Sequence, residues 1–110
     1  MPAPWVRTYI KLTEFLGQLL GPDYEVVLHD VQSSENSVIA IANGHISGRT
    51  IGAPLTSAAL QAIASGDHET QDFRSNYTGI AANGKLLRSS TFYIKDGEGK
   101  LVGLLCINFD

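Results

Sequence analysis

The side chains able to do chemistry in this chain are polar groups that interrupt otherwise apolar segments. They are an imidazole, a guanidinium, a thiol, two amides and two hydroxyls: His29, Asn43, Arg88, Ser90, Thr91, Cys106 and Asn108. Burying such groups costs free energy unless they find hydrogen-bond partners. We therefore expect them to line a small polar pocket that binds a polar molecule. The alternative is that each group bonds to local backbone or lies at a solvated strand end.

A second candidate for binding lies in an irregular stretch that contains Gly44, Gly48 and Gly52. The guanidinium of Arg49 could bind an anion there, with a solvent-exposed arginine as the alternative. The glycines match neither the GxGxxG pattern nor a Walker loop, so they are more typical of turns and close backbone approach.

Catalytic and metal sites are not predicted. His29 and Asp30 are neighbours in a strand, so their side chains point to opposite faces and cannot form a Ser-His-Asp arrangement. The other histidines, His45 and His68, add no metal-ligand spacing. Cys106 lies in an apolar run, which is typical of a small buried hydrophobe. We predict no enzyme, cofactor or metal, and an enzyme that uses Cys106 or His29 is the third and weakest alternative.

Composition limits the chain to one modest domain. It has 110 residues, of which 44% are hydrophobic and 17% charged. The net charge of -3 and the scattered Lys and Arg residues argue against a nucleic-acid-binding surface on these residues. No apolar run approaches the ~18 residues of a membrane helix, and no secretion signal is visible. We expect a soluble, cytoplasmic protein without membrane contact.

The first element that must position these groups is a helix over residues 5–20. Its apolar side chains recur at helical spacing, and Gly21-Pro22 should end it. The stripe is too broad for a solvated helix, so it must cover a sheet or meet its copy in a homodimer. The predicted dimer interface consists of Trp5, Tyr9, Leu12, Leu16 and Leu19.

Five strands and one further helix follow. The strands are expected at residues 24–31, 38–42, 73–81, 85–95 and 101–109, with a helical crossover at 54–64. The Asn83-Gly84 pair and the turn at 95–100 join the last three strands into an antiparallel meander. The final hairpin is apolar on both faces, so its last strand should lie at the sheet centre and pair with strand 1 or 2. We predict an α+β fold with strand order 2-1-5-4-3 over a single domain, residues 1–110.

Five segments resemble one known family, the YheO-like PAS domain. They are EVVLH at 25–29, IANG at 41–44, GRTIGAPLT at 48–56, LRSST at 87–91 and LLCIN at 104–108. The helix at 5–20 takes the place of the family's N-terminal helix. The strand order predicted above is also that of PAS domains.

The resemblance implies the sensor domain of a helix-turn-helix transcriptional regulator. On this view the chain is a sensor fragment that ends at Asp110, and DNA is contacted only by a domain absent from it. The residues carried over as candidates for the pocket or its frame are His29, Asn43, Arg49, Thr50, Arg88, Ser90, Cys106 and Asn108. Two functions stay open: a dimerising module that senses a small polar metabolite, and a structural dimerisation domain without a ligand.

Overall fold

The computed structural model describes residues 3–55, 57–81 and 83–110. Thr56, the last residue of the GRTIGAPLT segment, lies outside them. The helices are α1 (Pro4–Leu20) and α2 (Ser57–Ala64), and the strands are β1 (Tyr24–Asp30), β2 (Val38–Ala42), β3 (Phe73–Ile80), β4 (Leu86–Lys95) and β5 (Leu101–Phe109). None of the helices in these ranges is long and apolar enough to cross a membrane.

The five strands form one antiparallel sheet of order β2-β1-β5-β4-β3, which confirms the predicted topology. β5 lies in the middle, and its residues 101–105 are all buried. Elements cover it on both faces, as its two-sided apolarity requires.

α1 covers one face of this sheet. Its partly buried residues Trp5, Tyr9, Leu12, Leu16 and Leu20 pack against a core of Val26, Leu28, Ala40, Ile94, Val102 and Leu105. Gly103 makes the contact close, because a Cβ at that position would lie 2.9 Å from the Trp5 ring. Four of the five predicted dimer residues are thus covered by the chain's own sheet, while Leu19 is 65% exposed. This corrects the expected position of the stripe and leaves dimerisation itself a prediction.

Asn43 fastens the end of α1 to the sheet. Its side-chain amide Nδ2 donates to three carbonyl oxygens, those of Gly17 at 3.2 Å, Gly21 at 3.0 Å and Tyr24 at 2.8 Å. Its φ of 57° lies in the left-handed region, where Asn is among the few tolerated residues. The last carbonyls of a helix lack partners within the helix. Asn43 therefore caps α1 instead of lining a pocket on the opposite face, which corrects its predicted placement.

The crossover between β2 and β3 covers the other face. Leu55 and Ala59 pack against Tyr93, Leu101 and Leu104 in a second apolar cluster. Beside this cluster the strands carry polar side chains, and the packing leaves a cavity.

Candidate ligand-binding site

A cavity of about 80 Å³ lies between the sheet and α2. Residues directly opposite each other on neighbouring strands point to the same face of a sheet. The side chains that line the cavity therefore form rows across the strands. Glu25 of β1 pairs with Asn108 of β5, which pairs with Ser89 of β4. The next row is Val27, Cys106 and Thr91, and the third is His29, Leu104 and Tyr93. Most of the polar groups near the cavity thus come from regular strands, which fix their positions.

Glu25 is the most deeply buried charged group in the described part of the chain, with 0% of its surface exposed. Its Oε2 accepts hydrogen bonds from the backbone N of Ser47, at 3.2 Å, and from the Ser47 hydroxyl. Its Oε1 accepts from Nδ2 of Asn108 at 2.9 Å, and Oδ1 of Asn108 accepts from the Ser89 hydroxyl at 2.8 Å. Neutral donors therefore hold this carboxylate, and the chain of bonds links three strands to the turn after β2.

His29 presents a hydrogen-bond acceptor to the cavity. Its Nδ1 lies 2.8 Å from the Ser37 hydroxyl, which itself donates to the carbonyl of Ala53 at 3.5 Å. The hydroxyl has one hydrogen, so Nδ1–H is the donor to Ser37 and the lone pair is on Nε2. Burial, and secondarily the charge of Arg49, lowers the pKa of His29 to about 4. The imidazole is neutral at pH 7.

Arg49 also lines the cavity, and part of its hydrogen-bonding capacity is unused. One terminal nitrogen, Nη2, donates to the carbonyl of Pro54 at 3.0 Å. Its Nε is buried, and no group in residues 3–55, 57–81 or 83–110 accepts its hydrogen bond. The ion pairs in those ranges are Lys85–Asp110 and Lys95–Asp72. Arg49 and Glu25 therefore line one cavity with opposite charges that are not paired to each other.

The remaining polar wall is a hydroxyl and thiol cluster. The Tyr77 hydroxyl lies 2.5 Å from Oγ1 of Thr91, which lies 3.6 Å from Sγ of Cys106. Burial raises the pKa of Cys106 to about 11, with hydrogen bonding to Thr91 acting in the opposite sense. Burial also raises the pKa of Tyr77. All three groups are neutral at pH 7.

The structure brings four of the eight predicted site residues to the cavity: His29, Arg49, Cys106 and Asn108. The predicted placement is wrong for Arg88 and Ser90, because alternation along β4 turns them to the α1 side. There the Arg88 guanidinium lies 5.0 Å from the Phe109 ring centroid, and the Ser90 hydroxyl accepts from the backbone N of Asn76. Thr50 is exposed and outside the cavity lining.

Sequence reasoning missed Glu25, Ser47, Tyr77 and Ser89 as cavity residues. Two of them could have been found from the alternation of side chains along a strand. Glu25 lies four residues before His29 and Ser89 two residues before Thr91, so each shares a sheet face with a predicted pocket residue. Ser47 had none, because it follows a short turn at Gly44–Ile46 whose course a periodic pattern does not predict. In the described ranges, no cluster of three or more His, Cys, Asp or Glu residues could hold a metal ion.

Comparison with known proteins identifies the family. The YheO-like PAS domain model matches residues 2–110. The chain belongs to that family. YheO of Escherichia coli is 35% identical over 105 residues, an alignment covering 96% of this chain and 44% of YheO. The transcriptional regulator DauR of Pseudomonas aeruginosa is 28% identical over 107 residues, which cover 97% of this chain and 48% of DauR. This PAS domain thus spans less than half the length of these relatives.

Solved structures agree on the fold. An RNA-binding light-oxygen-voltage receptor superposes with a TM-score of 0.60 at 12% identity, covering 98% of this chain and 34% of the receptor. The PAS domain of a Colwellia psychrerythraea protein gives 0.56 at 19% identity, covering 96% of this chain and 95% of that one. Identities this low establish the shared PAS fold alone.

Proposed function

We propose that this PAS domain senses a small polar metabolite on behalf of a transcriptional regulator, and that the metabolite binds in the cavity between the sheet and α2. The observation that carries the proposal is Arg49, which lines the cavity and whose buried Nε is a hydrogen-bond donor without an acceptor in the described ranges. A buried donor left unpaired costs about 1–3 kcal/mol, which a ligand acceptor would recover. Similarity to the regulator DauR supports the regulatory role.

The segment after β2 offers a route by which binding could reach α1. Ser47 and Arg49 contact the cavity, and Asn43, a few residues earlier, caps α1 through the Gly17 carbonyl. If this segment has two arrangements, a ligand that binds one of them more tightly would increase the population of that arrangement. Through Asn43, the change would also move the end of α1. DNA contact, in this proposal, belongs to another domain of a cytoplasmic regulator.

A thermal-shift screen of the purified chain against polar metabolites tests the proposal. We expect at least one compound to raise the melting temperature of the wild type and of Arg88→Met, but not of Arg49→Met. Arg88→Met is the matched control because it removes the same group from the opposite face. A stabiliser that acts equally on Arg49→Met would place the site elsewhere, and a screen without any stabiliser would favour the ligand-free function.

The alternative is a ligand-free dimerisation module, and exposed apolar residues on α1 favour dimerisation under either function. Phe15 is 58% exposed and Leu19, one turn later, is 65% exposed. Together they form an apolar strip beside the face that packs on the sheet. If this strip is the dimer seam, Leu19→Glu should shift the sedimentation coefficient from dimer to monomer, while Gln18→Glu on the same helix should not.

The proposal gives the chain no catalytic role. A nucleophilic cysteine needs a lowered pKa, and burial raises that of Cys106 to about 11. The hydrogen bond of its sulfur is with the Thr91 hydroxyl, which in turn contacts the Tyr77 hydroxyl and not a general base. The imidazole of His29 bonds to Ser37 instead.

A further inference from the structure

Resting on the proposed function, we propose that the ligand is a zwitterionic α-amino acid whose carboxylate binds Arg49 and whose ammonium group binds on the side of Glu25 and His29. The observation behind this inference is the pair of opposite charges that line one cavity without pairing to each other. Both ion pairs of the described ranges involve lysines on the outside of the molecule. Glu25 and Arg49 therefore line the same cavity without a charged partner in the described ranges.

The unpaired hydrogen-bond donors and acceptors around the cavity indicate which chemical groups the two ends of the ligand carry. On one side, Nε of Arg49 is a buried donor that needs an acceptor, and a carboxylate is the acceptor that a guanidinium binds best. On the other side, the free acceptor is the lone pair of His29 Nε2, and the fully buried carboxylate of Glu25 adds negative charge in the cavity wall. An ammonium group supplies three donors and a positive charge to that side.

Charge balance excludes ligands with a single charge. The imidazole of His29, the thiol of Cys106 and the hydroxyl of Tyr77 are all neutral at pH 7. The two charges on the wall cancel, so a monoanion would leave an excess negative charge beside Glu25 and a monocation an excess positive charge beside Arg49. Burying either excess is costly. A neutral amide balances the charge but supplies a counter-charge to neither group.

The size of the cavity fits the head group of such a ligand. Its volume of about 80 Å³ is roughly half that of the ~150 Å³ cavity able to hold benzene. This space suits an amino group, a Cα and a carboxylate. Ile80 lines the cavity and is 68% exposed, so it marks the rim past which the ligand's own side chain would extend.

Calorimetric titration of the chain tests the inference with three probe classes. These are the L- and D-α-amino acids, their carboxamides and their N-acetyl derivatives. We expect at least one amino acid to bind, and its carboxamide and its N-acetyl derivative to bind at least tenfold more weakly. Arg49→Met should lower the affinity for the amino acid at least tenfold and remove the preference for the acid over the carboxamide. Arg88→Met should leave both the affinity and the preference unchanged.

Glu25→Gln is the complementary variant, expected to remove the preference for the free amine over the N-acetyl derivative. If loss of the buried carboxylate prevents folding, the partly exposed Arg49 still supplies the decisive comparison. Propionate and ethylamine are titrated beside the three probe classes as compounds with a single charge. Binding of either in preference to every amino acid would overturn the inference while leaving a ligand site in the cavity. Failure of every probe and of the wider metabolite screen would overturn the inference together with the proposed function.

Discussion

Replacing Asn43 should destabilise the fold, because this residue caps α1 in a left-handed backbone conformation. The amide has two hydrogens for three carbonyls, so it makes the equivalent of about two hydrogen bonds, each contributing roughly 1 kcal/mol. An alanine held at a φ of 57° adds roughly 1 kcal/mol of backbone strain. The free energy of unfolding of Asn43→Ala should therefore fall by about 3 kcal/mol, equivalent to a melting temperature roughly 13 °C lower for a domain of this size.

Two further variants separate the contributions of the side chain and the backbone. Asn43→Gly loses the amide but accepts the left-handed conformation, so it should lose only the hydrogen-bond part, about 2 kcal/mol. Asn43→Asp keeps the shape but turns a carboxylate toward three carbonyl oxygens, so it should be the least stable of the three at pH 7. Urea denaturation followed by far-ultraviolet circular dichroism measures all three. Loss of less than about 0.5 kcal/mol in Asn43→Ala would refute the capping role, since that is the range of ordinary surface changes.

Three other perturbations have defined outcomes. Gly103→Ala should lose about 1–3 kcal/mol of stability in urea melts because the new Cβ would lie 2.8 Å from the His29 carbonyl oxygen, whereas Gly97→Ala, with open space around it, should lose far less. Burial lowers the pKa of His29 from its ordinary value of 6.5 to about 4 in the folded protein. As the pH falls below 6.5, the unfolded chain therefore takes up the proton before the folded protein does. The free energy of unfolding should fall by about 3 kcal/mol between pH 6.5 and pH 4. His29→Gln should flatten that slope, and an unchanged slope would show that His29 titrates normally. The half-buried thiol of Cys106 should react with Ellman's reagent at pH 8 far more slowly in the folded protein than in the chain unfolded in urea, because its pKa is raised to about 11; equal rates would contradict that pKa.

The fold could be predicted from sequence because its strongest signals are local and periodic. The Asn83-Gly84 turn and the turn at 95–100 make β3, β4 and β5 neighbours, and the two-sided apolarity of β5 places it at the sheet centre, as observed. The extent of α1 was predictable to within one residue. Whether its apolar stripe meets the sheet or a second copy depends on tertiary packing, about which helical periodicity alone carries no information.

The site could be predicted only in part, because polarity alone does not say which face a residue occupies. Side chains alternate between the two faces along a strand, so Arg88 and Ser90 point to the face opposite Thr91. Applying this alternation to β4 would have removed both residues from the predicted pocket. Asn43 is polar for a reason unrelated to any ligand, since it caps a helix distant in sequence. The position of Ser47 depends on a non-periodic turn, and only the folded structure brings its hydroxyl to Glu25.

The central claim is that the cavity between the sheet and α2 is where a ligand binds. The most direct test is a ¹H–¹⁵N correlation spectrum of the labelled chain, titrated with the strongest stabiliser from the thermal-shift screen. We predict that the largest shift changes fall on Glu25, His29, Ser47, Arg49 and Asn108, with little change at Arg88. Changes centred on Arg88 and Phe109, or none at saturating stabiliser, would contradict the claim.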